Sequence, residues 1–160
     1  TYMENAVKAL YIAAGMLIAV MVLSLAAVLY ASLQNYVEES NRQIKYNDIS
    51  SFNTKYLNYI NFSDNVKQFD LTIQDVITAA SNSYENNKSH DADSSQWGIS
   101  ENALYVGVYL NGGRIDTDIN ERIVDLLEQY KGKNFKCTPD DVLISQNTGQ
   151  VYSINFTIIN

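Results

Sequence analysis

Side chains that ionise, attack or coordinate are scarce in this chain, which has one histidine, His90, and one cysteine, Cys137. A single cysteine forms no intrachain disulfide and furnishes no paired-cysteine zinc site. His90, Asp91 and Asp93 form one cluster of metal-ligand types, but HDADSSQWG lacks the acidic spacing of a calcium loop, and polar residues in a Ser-rich stretch are ordinarily solvated. No GxSxG, phosphate-loop or dinucleotide fingerprint occurs. The residues therefore predict no enzyme, no metal and no cofactor. Asn61-Phe62-Ser63, Asn87-Lys88-Ser89 and Asn155-Phe156-Thr157 match the glycosylation acceptor pattern, at a frequency near chance in so Asn-rich a chain. What remains is electrostatic. Glu4 and Lys8 stand four residues apart, on one helical face and in the favourable acid-first order. Two uses are open to them: neutralising each other, or pairing across a helix bundle. In a dry bundle an unpaired carboxylate is costly, so Glu4 would meet a neighbour's amine or Lys8 and set axial register.

The elements that must carry these residues are legible from charge patterning. The chain has 160 residues, 11 Lys and Arg against 18 Asp and Glu, and a formal net charge of −7. Such a balance disfavours nucleic acid as a partner. Its distribution is uneven. From Ala9 to Tyr36 no residue is charged, while residues 37–160 hold 17 of the 18 acids and 10 of the 11 bases.

The uncharged run is built from Ala, Leu, Ile, Val and Met with no Pro and one Gly. As a helix it would extend about 42 Å at ~1.5 Å per residue, more than the ~30 Å of a bilayer's hydrocarbon layer. A buried helix of a soluble core would be shorter, and the rest of the chain is too small to wrap one that is apolar on every side. A cleaved secretory signal would have an apolar region of about 7–15 residues after a basic flank. The segment therefore reads as retained. Thr1, in place of an initiating Met, leaves two readings: a leader removed before it, or a start at Met3.

Beyond Tyr36 the sequence turns polar but keeps Ile49, Phe52, Tyr56 and Ile60 at helical spacing, with no Pro or Gly between. One helix is predicted from about Asn5 to about Tyr59. The organisation expected is 1–36 as an apolar membrane or filament-core helix, 37–60 as its amphipathic continuation, and 61–160 as a head. Small residues Ala9, Ala13, Gly15, Ala19, Ala26, Ala27 and Ala31 would let such helices approach closely. Gly15 is the expected point of local weakening.

In the head, Thr72-Ile73-Gln74-Asp75 reads as a capping box before a helix to about Asn86. The polar stretch ENNKSHDADSSQWG reads as an exposed loop. A strand is expected over 103–110, with Asn111-Gly112-Gly113 turning into a short partner at Arg114 and Ile115. A helix is expected over 120–130 with Gly132 as C-cap, then strands over 135–137, 142–146 and 151–159. The last should pack Tyr152, Ile154, Phe156 and Ile158 on the amphipathic part of the long helix. The fold class is thus α+β, an antiparallel sheet laid on helices.

An acid in a short N-terminal stub, a long uncharged helix, its amphipathic continuation and a head of about 100 residues together resemble type IV pilins and related pilin-like filament subunits. The resemblance covers about the first 60 residues. It implies a prepilin peptidase that removes a leader, pilus assembly machinery, apolar helices bundled into a filament core, and a glutamate that neutralises a neighbour's terminal amine. Glu4 matches that glutamate, one position nearer the start than the family's usual fifth place if Thr1 is the mature terminus. A proline often found in the family's helix is absent here.

These readings predict a structural subunit of an extracellular helical filament, a homopolymer assembled through Glu4, Lys8, Ala13, Gly15, Leu17 and Ala19 with the acidic head facing solvent. Before assembly the subunit would wait in the inner (cytoplasmic) membrane. The alternative is a single-pass membrane-anchored binding module, or a minor pilin-like component of a secretion apparatus. Lys8 precedes the run while Arg42 and Lys45 follow it, so charge does not decide orientation.

Overall fold

The computed structural model describes residues 1–102 and 104–159. The chain divides into two compact units, Thr1–Asn47 and Asp48–Asn160. The first consists almost wholly of residues of helix α1 (Tyr2–Leu57). With no Pro in the segment, every residue after the first turn can donate its N–H along the helix, and α1 passes through Gly15 unbroken. At its end the Tyr59 and Ile60 N–H groups donate to the Tyr56 and Leu57 carbonyls, both at 3.1 Å, tightening the final turn.

The second unit is α+β. A hairpin of β1 (Phe62–Ser63) and β2 (Val66–Lys67) turns through Asp64 and Asn65, both at positive φ, where short polar side chains are tolerated. Then follow β3 (Leu71–Thr72), α2 (Ile73–His90), β4 (Gly107–Leu110), β5 (Gly113–Arg114), α3 (Ile119–Gln129), β6 (Asn134–Lys136), β7 (Val142–Ile144) and β8 (Val151–Ile159). The main sheet has the order β3-β6-β8-β4-β5, and β7 pairs with β8 beside β6. β8 is its axis: Ile158 lies opposite Phe135, and Ile154 opposite both Val108 and Val142. Because β8 is flanked and covered, Val151 and Ser153 are buried as well as Ile154 and Phe156. The expected antiparallel sheet is in fact mixed, since β4 runs parallel to β8. The long connection between those two strands, which includes α3, makes a parallel return possible.

Sequence signals hold at the start of α2 and in the β4–β5 turn, whereas α3 is capped at Tyr130 and not at the expected Gly132. The Asp75 carboxylate accepts from the Thr72 N–H at 2.8 Å and its hydroxyl at 3.0 Å, closing the start of α2. Asn111 and Gly112 both have positive φ in the β4–β5 turn, the requirement that an Asn-Gly pair meets at least cost. Tyr56 is buried in the core and Phe52 and Ile60 pack against it, with Tyr59 edge-on to Phe156 at 5.7 Å. The amphipathic end of α1 thus does supply the partner that β8 needs.

The polar stretch after Tyr84 departs from expectation. α2 continues to His90, Asn87 is wholly buried, and Trp97 is 2% exposed. The Asn87 amide acts as a strand edge, accepting from the Val106 N–H at 2.8 Å and donating to the Val106 carbonyl at 2.8 Å. Asn61 does the same elsewhere, donating to Phe69 and Phe135 carbonyls at 3.1 and 2.9 Å and accepting from the Cys137 N–H at 2.8 Å. Two of the three glycosylation matches are therefore structural asparagines closed to modification in the folded head. The strand expected from Ala103 starts at Gly107; Ala103 itself lies outside the described residues.

Burial pushes the Cys137 thiol up from its ordinary 9.0 to about 12, with Asp141 adding to the effect. The Tyr56 phenol is raised as well, chiefly by burial and then by Asp116 and Tyr59. Both groups are neutral when protonated, so a raised folded value means stability that is fully present below the unfolded value and lost as pH rises. Head stability in denaturant, followed by Trp97 fluorescence, should be level from pH 6 to 8 and fall above pH ~9. A level profile to pH 11 would contradict the burial of these two groups.

Candidate assembly helix

Every large apolar side chain between Leu10 and Tyr36 is between 60% and 75% exposed. A helix that is apolar all round belongs inside something, and soluble monomers rarely leave a contiguous apolar surface beyond a few hundred Å². Among the described residues, α1 is the one helix long and apolar enough to cross a membrane, and none of its apolar window is buried. Two of its polar side chains are bonded within the helix: the Ser24 hydroxyl donates to the Val20 carbonyl at 2.8 Å, and the Gln34 amide to the Tyr30 hydroxyl at 2.9 Å. Such bonds lower the polarity that these two residues present to an apolar medium.

The residues expected to mediate assembly all lie on α1, yet they do not form a single face. Lys8 Nζ donates to Glu4 Oε1 at 2.8 Å, both side chains about two-thirds exposed. An exposed i,i+4 pair of this kind contributes about 0.3–0.5 kcal/mol, too little to explain the helix but enough to neutralise its first turns. Ala13 and Leu17 share one face, and Gly15 and Ala19 share another, roughly 200° around the axis from the first. Among the described residues, a Cβ built on Gly15 would meet no atom within 4 Å beyond its chain neighbours and its own turn of helix backbone. No close approach among the described residues requires glycine there.

The other residues singled out for chemistry are engaged locally. His90 Nδ1 lies 2.8 Å from the Asn86 carbonyl at the end of α2. Asp91 accepts from the Asp93 N–H at 2.9 Å, and Asp93 accepts from the Ser95 N–H at 3.0 Å. Hydrogen bonds from the Ser95 side chain and backbone hold the Asp93 carboxyl below the usual range. Among the described residues no three His, Cys, Asp or Glu side chains converge.

Two features of the head were not read from the sequence. One is a buried polar network: Arg114 Nε and a terminal nitrogen donate to the two Asp116 oxygens, each at 2.9 Å. The Val108 N–H donates to Asp116 at 2.9 Å and the Asn87 amide at 3.3 Å, while Arg114 donates to the Trp97 carbonyl at 2.6 Å. Ser83 donates to the Val106 carbonyl beside it. The R-x-D spacing was a usable signal, since residues two apart in extended chain share a face. The other is a cleft of about 510 Å³ lined by Phe62, Lys67, Gly132, Lys133, Asn134 and Ile159. Its lysines come from separated segments, which no local pattern connects.

Compared with known proteins, the chain matches no family model, no curated protein and no solved structure.

Proposed function

We propose that this chain is a structural subunit of an extracellular, helix-cored filament of the pilin type. The observation that carries the reading is the contrast between its two units: a head with a closed core, and a helix whose apolar side chains are exposed on all sides. Copies of residues 9–36 pack against one another, and the acidic head faces solvent. Small residues on two faces of α1 suit a helix that meets more than one neighbour. Before assembly the helix rests in the inner membrane, exchanging lipid contacts for helix contacts as it enters the filament. The mechanism is assembly, with no catalytic step. The layout of long helix followed by a small sheet-bearing head is compatible with a pilin-like fold.

Negative-stain electron microscopy of material sheared from cells, with mass spectrometry of the 18.0 kDa band, tests the reading. Filaments made of this chain support it. A chain that stays in the membrane fraction without filaments is instead an anchored binding module. Glu4→Ala should lower filament yield several-fold while leaving membrane insertion unchanged, because the Glu4–Lys8 pair contributes little to the helix itself. Normal yield would remove Glu4 from assembly.

A further inference from the structure

The chain carries its charge unevenly. Residues 48–160 hold eight Lys and Arg against fifteen Asp and Glu, while residues 1–47 hold three of each. Packing many heads side by side would therefore accumulate repulsion unless acidic and basic surfaces meet. Lys67, Lys131, Lys133 and Lys136 make up half of the eight bases in residues 48–160. Lys67 and Lys133 line the 510 Å³ cleft together with apolar Phe62 and Ile159, and Lys136 Nζ stands 4.9 Å from the Phe62 ring centre. Lys67 is paired with Asp70 at 2.7 Å. Among the described residues Lys131, Lys133 and Lys136 take part in no ion pair.

The complementary surface is on α3. Glu121, Asp125 and Glu128 are exposed at spacings of four and three, so they form one stripe. None is ion-paired among the described residues. Val124, on the same side of the helix, is 65% exposed. A carboxylate stripe with an apolar centre matches a cleft lined by Lys67 and Lys133 together with apolar Phe62 and Ile159. Because the two surfaces differ, their union is a heterologous contact, the type that propagates into open filaments.

We propose that the lysine cleft of one copy receives the α3 acidic stripe of a second copy. The inference rests on the filament reading for its choice of partner. Full-length chains, one population labelled with ¹⁵N and one unlabelled, are mixed in detergent and separately allowed to form filaments. Both preparations are treated with a zero-length carbodiimide, which activates a carboxylate, lets a lysine amine displace it to form an amide, and leaves as the urea that has taken up the carboxylate oxygen. Mass spectrometry should find mixed-isotope amides joining Lys133 or Lys136 to Asp125 or Glu128. Their yield should fall about tenfold in 1 M salt, where the screening length is ~3 Å. It should fall likewise in Lys133→Glu/Lys136→Glu, and recover when that variant is mixed with Asp125→Lys/Glu128→Lys. Trp97 fluorescence verifies that both variants fold.

Same-isotope amides alone would overturn the contact, including the case in which anionic lipid vesicles shield Lys133 from acylation and the cleft is a lipid site. Filaments that form without these amides would refute the contact and leave the filament standing. The amides without filaments would uphold the contact and refute the filament.

Discussion

Asp116→Ala is expected to destabilise the head by about 3–5 kcal/mol, the range found when one member of a buried ion pair is removed. The side chain is wholly buried and accepts from Arg114 twice, from the Val108 N–H and from the Asn87 amide. Alanine would leave the Val108 N–H without its acceptor and take one of two acceptors from the Asn87 amide, both in a buried site, which is where an unmade hydrogen bond costs most. Arg114 loses its counter-charge, though its side chain is 23% exposed and can turn toward water. Small domains have a total stability of about 5–15 kcal/mol, so the change removes about a fifth or more of the reserve. Urea unfolding of the full chain, followed through Trp97, measures it at the network itself, since the Trp97 carbonyl accepts from Arg114. Arg114→Lys should fall between wild type and Asp116→Ala, because an ammonium keeps the charge and loses the two-pronged geometry. A loss under 1 kcal/mol for Asp116→Ala would mean that the network does not tie α2, β4 and the segment around Trp97 together.

Leu17→Asp is expected to abolish filaments and membrane insertion together. A carboxylate at the centre of a membrane helix costs about 2.5–3.5 kcal/mol on insertion scales, and in a filament the cost recurs in every subunit. Ala19→Asp, on the opposite side of α1, should act alike if the helix is enclosed all round. An effect at one position only would show that one face meets water or the head of a neighbour. Fractionation of cells followed by microscopy of sheared material reads both outcomes. A soluble, folded, full-length product carrying either substitution would show that the apolar surface of α1 needs no apolar surroundings.

Local physics made much of this molecule legible. The long helix follows from 28 uncharged residues without proline, because helix periodicity and the absence of a breaker are properties of adjacent residues. The start of α2 follows from Thr72 and Asp75, and the β4–β5 turn from Asn111 and Gly112, for the same reason. Strand β8 was readable over its full length because β-branched and aromatic residues make up most of it and neither Pro nor Gly interrupts it. Long-range pairing was not readable. Whether an asparagine is solvent-facing or serves as a buried strand edge depends on which backbone the fold brings to it, so Asn61 and Asn87 looked like surface residues. The direction of β4 against β8, the burial of Asp116 under Arg114, and the meeting of Lys67 with Lys133 across about 65 residues of chain all depend on closure of the sheet. Sequence alone determined an apolar helix and an acidic α+β head, since hydrophobicity and charge are carried residue by residue. The tertiary structure decided which polar groups are satisfied inside that head and which charges share its surface, because those are relations between residues that only folding makes neighbours.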